Sequence, residues 1–377
     1  MIYLDEAATA PVRREVLAAM GPYLGPAFGN PSSRHATGEI AARALDDARR
    51  AVADALGARP GEIVFCSGGT EAANLAVKGI AVATPRGRHV VVSSIEHPAV
   101  LESARWLGRL GFDVTELEVD ADGLVHPETL AAALRDDTTL VSVQHANNEV
   151  GTVQPVAELA SVCAERGVPF HTDAVQTAPW FDLDVGGLGV QALSLSGHKL
   201  GTPKGIGALW VRRGVPLEPV LHGGGQESGR RSGTENVAGA VGLAAALGLV
   251  DHAGAAEVAA RRDAFVDDVL ARVPGARLTG HRTDRLPGHA SFVLPGRSGE
   301  SVLLDLDRHG VASSSGSACR AGSDEPSHVL TAMGIEREVA QTAVRFSFGP
   351  AVSGDDLRAA AERLGAVAGA TSGADDA

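Results

Sequence analysis

Between residues 63 and 211 short apolar runs alternate with helical patterns, and nothing else in the chain constrains its fold as much. Ile63 to Cys66 reads as a strand, followed by a helix from Glu71 to about Val82. His89 to Ser94 reads as a second strand, followed by a helix to about Leu110. Further strands are expected at Asp113 to Val119, Leu140 to Gln144, Val168 to His171 and Ala192 to Leu195, with another from Ala208. Pro155 to Arg166 reads as a helix with proline in its first turn and Gly167 as its stop. Strands that alternate with helices pair in parallel and are covered on both faces. The expected architecture is therefore α/β, with a mainly parallel seven-stranded sheet in a large domain.

The pattern changes after about Asp251. A long helix at Ala255 to Val273, strands near Ala290 to Leu294 and Val344 to Phe348, and helices near Ser301 to His309 and Asp355 to Leu364 read as a smaller α+β domain. We place the large domain at 15–255 and the small one at 1–14 plus 256–377. Residues 1–35 read as turn-rich, with four prolines, before a helical pattern from Gly38 to Leu56. The tail from Gly369 is small and acidic and is expected to fray.

A net charge of −13 argues against a broad basic surface for nucleic acid. No basic stretch followed by an apolar run marks the N-terminus, and Ala238 to Val250 is too short and glycine-rich to span a bilayer. Three cysteines without metal-type spacing fit a reducing compartment, so a cytoplasmic protein is expected, with no metal site and no membrane contact.

Ligands of an open parallel sheet bind beyond the carboxyl ends of its strands. The polar residues expected there include Ser67-Gly68-Gly69-Thr70, Glu96-His97, Asn147-Asn148, Asp173 to Gln176, and Ser196 to Lys199. Only three of the 33 basic residues are lysines, and two of them, Lys199 and Lys204, share one glycine-rich loop. An amine can form a Schiff base, whereas a guanidinium cannot be deprotonated to do so. Ser67 to Thr70 leads into a helix, whose first N–H groups favour a phosphate. Asp173 closes a buried strand, where a carboxylate needs a partner. Each feature alone has a plainer explanation: an N-cap threonine, a capping or ion-paired aspartate, a histidine before proline at a helix start. Together a phosphate cradle, an amine and a carboxylate at one sheet edge describe a pyridoxal phosphate site.

A second constellation lies later. Ser313 to Ser323 is a small-residue loop with one thiol, Cys319, beside Arg320. A thiolate is the nucleophilic form, and a neighbouring cation favours it. Cys163 falls on an apolar helical stripe and Cys66 ends a strand, so both read as packing residues. Arg345, in VRFSF, has the fork geometry to clamp a carboxylate; a solvated strand arginine is the plainer reading.

From about residue 2 to 350 the chain resembles the cysteine desulfurases of the NifS/IscS-like branch, fold-type I pyridoxal phosphate enzymes of the class V aminotransferase family. The motifs are YLDEAATAP, GNPSSRHATG, FCSGGTEAANLAVKG, EHPAVLES, NNEVGTVQP, HTDAVQT, SLSGHKLGTPKGIGALWVRR, HGGGQESGRRSGTEN, SSSGSACRAG, PSHVL and RFSFG. The resemblance implies that Lys199 carries the cofactor, Asp173 pairs with its ring nitrogen, Gln176 contacts its phenolic oxygen, and His97 stacks on the ring and moves protons. It implies a phosphate held by Gly69, Thr70, Ser196 and His198, joined across a homodimer interface by Thr234. Asn148 and Arg345 would bind the substrate carboxylate. Cys319 would take sulfur from L-cysteine, leave L-alanine, and pass the persulfide to an acceptor such as an iron–sulfur scaffold. Glu6 and Ala10 depart from the family pattern in a segment that lies near the substrate in relatives. A selenocysteine lyase, a class V aminotransferase and a non-catalytic sulfur relay are the competing readings.

Overall fold

The computed structural model describes residues 1–83, 86–315 and 325–370. Twelve strands are described: β1 (Ile2–Tyr3), β2 (Ile63–Cys66), β3 (His89–Ser93), β4 (Asp113–Leu117), β5 (Thr138–Ser142), β6 (Phe170–Asp173), β7 (Ala192–Ser196), β8 (Gly207–Val211), β9 (Arg277–Leu278), β10 (His289–Val293), β11 (Val311–Ala312) and β12 (Ala343–Ser347). Seven of them form the central sheet in the order β2-β8-β7-β6-β5-β3-β4. Only β8 runs against its neighbours. The mainly parallel seven-stranded sheet is therefore present.

Its inner strands are buried along their whole length, which explains their near-continuous apolar sequence. Successive side chains divide between the two faces. Val64, Val90, Val92, Leu140 and Leu209 join one apolar cluster with helices Gly69–Ala83 and Pro98–Arg109. Ile63, Phe65, Val91, Val141, Phe170 and Trp210 join the other, with helices Ala36–Ala55, Val156–Glu165 and Val237–Gly248. A shift of one residue in any strand would exchange these faces, so packing fixes the register. With both faces covered, only the strand ends are left to build a site.

A three-stranded antiparallel sheet, β12-β10-β9, sits over its own core, in which Phe265 and Phe346 meet edge to face at 5.2 Å. Residues 1–13 touch both parts. Leu4 is fully buried in the phenylalanine core and β1 pairs with β11, whereas Ala10 N–H donates to the carbonyl of His198 at 3.0 Å.

The first 35 residues hold more order than their prolines suggest. Arg14–Leu24 is a helix with Pro22 inside it. Val16 and Met20, one turn apart, pack on helix Val237–Gly248, where Gly242 leaves room: a Cβ there would lie 2.7 Å from the Met20 sulfur. Tertiary packing outweighs a proline placed in the last turn. The fraying expected from Gly369 does not begin there, since the last helix runs Gly354–Ala370; the rest of that expectation, residues 371–377, lies outside the described ones. No described helix is long and apolar enough to cross a membrane.

Candidate active site

The carboxyl ends of β3, β6 and β7 open into one cavity of about 520 Å³. Apart from Thr234, every candidate site residue in the described segments lines it. Cys319 lies outside the described residues.

Lys199 closes the short turn Gly197–Lys199 that follows β7. Its Nζ donates to the carbonyl oxygens of Ala7 and Ala8, the latter at 2.7 Å. The amine is thus held by the N-terminal segment, and Gln176 Nε2 donates to the same Ala7 oxygen at 3.0 Å. His198 Nδ1 meets Thr9 Oγ1 at 3.2 Å, and its pKa is pushed down to about 4 by burial and by the charges of Lys199 and Lys204.

Asp173 sits at the end of β6, where its Oδ1 accepts from Val175 N–H at 2.9 Å. Burial pushes this carboxyl up to about 6, against the opposing pull of that hydrogen bond and of Lys199. A buried carboxylate facing an amine across a cavity is the partner a protonated heterocyclic nitrogen requires. His97 caps helix Pro98–Arg109, its Nδ1 accepting from Ala99 N–H at 3.1 Å. Burial and the charges of Lys199 and His328 hold its pKa down at about 4, so at neutral pH the ring is uncharged. A neutral ring can stack on an aromatic ligand or accept a proton.

The start of a helix lines the same cavity. Ser67 and Gly68 turn the chain from β2 into helix Gly69–Ala83, whose first N–H groups have no partner inside the helix. Close approach requires Gly69: a Cβ there would lie 2.9 Å from Val175 Cγ2 and 3.2 Å from Ser196 Cβ. Amine, carboxylate, imidazole and helix end together match what pyridoxal phosphate needs at its aldehyde, ring nitrogen, ring face and phosphate.

On the far wall, Arg345 of β12 is 2% exposed. Its Nη1 donates to the carbonyl of Asn148 at 3.0 Å and its Nη2 to Asp5 Oδ1 at 2.6 Å. The residues flanking 316–324 attach to the same walls. Ser314 exchanges both backbone hydrogen bonds with Arg345. Ser327 Oγ donates to Glu149, and His328 Nε2 meets the carbonyl of Glu96 at 3.0 Å. The described residues on either side of 316–324 are thus tied to Arg345, which lines the cavity, and to Glu149 and Glu96, which adjoin the lining residues Asn148 and His97.

An aminotransferase class-V model matches residues 2–359. The chain belongs to the class-V aminotransferase family. It is 46% identical over 360 residues to "Cysteine desulfurase IscS" of Dictyoglomus turgidum, covering 94% of this chain and 91% of that one. Among solved structures, a "NifS-like protein" superimposes with a TM-score of 0.90 at 35% identity, over 97% of this chain and 98% of that one. "SspA in complex with cysteine" superimposes with a TM-score of 0.83 at 38% identity, over 93% and 99%. Within the class-V family the chain belongs to the cysteine desulfurases.

Several residues of this desulfurase site escaped the sequence reading. The carbonyls of Ala7 and Ala8 carry no residue-type signal. Lys204 lines the cavity with Gly205, although the sequence offered no role for it. Glu71, also in the wall, accepts from Ser67 N–H at 2.7 Å and pairs with Arg231 at 2.7 Å. Thr234 is exposed and away from the cavity of its own chain. Glu6 lies beside a small neighbouring cavity that also touches Lys199, its carboxyl pushed upward by burial.

Proposed function

We propose that the protein releases sulfur from L-cysteine, with pyridoxal phosphate held by Lys199, and loads that sulfur onto Cys319. The observation that carries this reading is the meeting of Lys199, Asp173 and the start of helix Gly69–Ala83 in one cavity. When bound, the cofactor supplies an electron-poor ring that accepts the electron pair left at the substrate α-carbon.

This chain's own residues do the rest. Arg345 and Asn148 hold the substrate carboxylate and thereby orient the α-carbon toward Lys199. The Lys199 amine removes the α-proton, and His97, neutral at working pH, accepts or returns protons beside it. Asp173 keeps the ring nitrogen protonated, and Gln176 donates to the phenolic oxygen. Thr70, Ser196 and His198 hold the phosphate, and Thr234 reaches the site of a second subunit, which accounts for its exposure here.

The Cys319 thiolate then attacks the substrate sulfur. A sulfur–sulfur bond forms as the carbon–sulfur bond breaks, its electron pair stays with the carbon fragment, and that fragment leaves as L-alanine after protonation. Cys319 keeps a persulfide for a cytoplasmic acceptor, for which an iron–sulfur scaffold or a thiolation enzyme is chemically suited.

Protein incubated with pyridoxal phosphate and reduced with borohydride should carry the cofactor on the peptide containing Lys199. Protein supplied with L-cysteine should yield alanine and a sulfur adduct on Cys319. Alanine production by Cys319→Ala at the full rate, without added thiol, would remove Cys319 from the reaction.

A further inference from the structure

Residues 222–236 form a strap that meets the outer side of β2 through Glu227 and Arg230. The N–H of Phe65 donates to Glu227 Oε2 at 2.9 Å, and the carbonyl of Ile63 accepts from Arg49 at 2.9 Å and from Arg230 at 3.2 Å. Glu227 also takes both arms of Arg49, each at 2.7 Å. Glu227 and Ser228 hold φ of 51° and 58°, a left-handed backbone in non-glycine residues. Such strain persists only where surrounding contacts over-determine the conformation, as the five hydrogen bonds to Glu227 and to the Ile63 carbonyl do here. The strap is therefore fixed to the strand that ends at Cys66, next to the Ser67 turn.

One more contact joins the strap to the turn itself. Arg231 Nε donates to Glu71 Oε1 at 2.7 Å and Nη2 to Oε2 at 3.2 Å, while the same Oε2 accepts from Ser67 N–H. Glu71 stands in the first turn of helix Gly69–Ala83 and lines the cavity. A carboxylate there shares its surroundings with any phosphate bound at the helix end, and two like charges at such range repel. Burial raises the Glu71 carboxyl, but the hydrogen bonds from Arg231 and Ser67 outweigh it and keep the group ionised. The negative charge is thus real at neutral pH and needs a counter-charge.

We propose that Arg231 is a positioning residue for the phosphate end of the site: through Glu71 it sets the Ser67–Thr70 turn and cancels the carboxylate that this turn places against a phosphate. This rests on the reading that the turn receives the phosphate of pyridoxal phosphate.

Cofactor-free protein is titrated with pyridoxal phosphate and, separately, with pyridoxal, which lacks the phosphate, and binding is followed by absorbance. Arg231→Met should weaken pyridoxal phosphate about ten-fold or more, leave pyridoxal unchanged, and leave the melting temperature of the cofactor-free protein within about 2 °C. Arg231→Lys, which keeps the charge without the fork, should lose less. Adding Glu71→Gln to Arg231→Met should bring affinity back to within about three-fold of wild type, because the uncompensated charge is gone; a purely structural loss would deepen instead. The proposal fails if Arg231→Met binds pyridoxal phosphate like wild type, or if both ligands weaken equally. If wild-type protein does not prefer pyridoxal phosphate over pyridoxal, the phosphate reading falls as well.

Discussion

Arg345 and Asp5 lie 340 positions apart in the chain and meet at 2.6 Å, with the guanidinium 2% exposed. The same guanidinium reaches the carbonyl of Asn148, so its plane is set from two sides before any substrate arrives. A fork held in this way presents a charged face of fixed direction.

Replacing the fork tests its role. Arg345→Lys keeps the charge but cannot span Asp5 and Asn148 together. The KM for L-cysteine should rise about ten-fold or more, worth about 1.4 kcal/mol, while kcat changes less. Steady-state kinetics decide: a fall in kcat at unchanged KM would mean that Arg345 does not anchor the carboxylate.

Gly207 tests how closely the Ser67–Thr70 turn must lie against β8. It sits in β8 opposite Cys66 and Ser196, and a Cβ there would lie 2.6 Å from Gly68 C and 2.6 Å from the Leu195 oxygen. Both are backbone atoms that cannot swing aside. Gly207→Ala should destabilise the protein by about 1–3 kcal/mol and weaken pyridoxal phosphate binding with it. Thermal melting and a binding titration check both; a normal melt with normal affinity would show that the turn has slack.

Glu96 sets a pH signature. It is fully buried, Oε1 accepts from Ser93 Oγ at 2.8 Å and from Gln144 N–H at 2.7 Å, and Oε2 has no hydrogen-bond partner among the described residues. Burial, aided by nearby Asp173, pushes its pKa up to about 8 from 4.5. Between those values the folded protein holds a proton that the unfolded chain has lost, so stability falls as pH rises through the window. Glu96→Gln keeps the acceptor and has no proton to lose. Its melting temperature should gain on wild type steadily from pH 5 to 8. A constant difference would show that Glu96 is ionised throughout. Buried His145 and His171, held down at about 4 and about 3, act oppositely and weaken both proteins alike as pH falls below 6.5.

The cysteines should separate by reactivity. Cys66 and Cys163 are buried, and burial pushes both thiols up, Cys163 to about 12 and Cys66 further. Alkylation of native protein at pH 8, mapped by mass spectrometry, should label Cys319 and spare these two until the protein is unfolded. Rapid labelling of Cys66 in the native state would contradict its burial.

Much of this could be read from residues because the large sheet repeats one device: an apolar run, a turn, a helix. Strand ends and site residues coincide in such a sheet, so Asp173 and Lys199 were legible together. The helix Arg14–Leu24 was not, because its stability comes from Gly242 more than 200 positions away rather than from its own composition. The hold of Ala7 and Ala8 on Lys199 uses backbone oxygens, which every residue has. The pair Arg231–Glu71 spans 160 positions and belongs to no periodic pattern. Long-range ion pairs leave no local trace, whereas strands and caps do.

The strap along β2 has a consequence for how the molecule survives crowding. An outermost strand with idle amides is a template on which another chain can add itself. On β2 the outward N–H of Phe65 and carbonyl of Ile63 are already spent on Glu227, Arg49 and Arg230. At the opposite margin, β4 carries Asp113 and Glu116, paired with Arg135 and Arg105. Closed by side chains at one margin and charged at the other, the sheet stops at seven strands and offers a stray strand nowhere to begin.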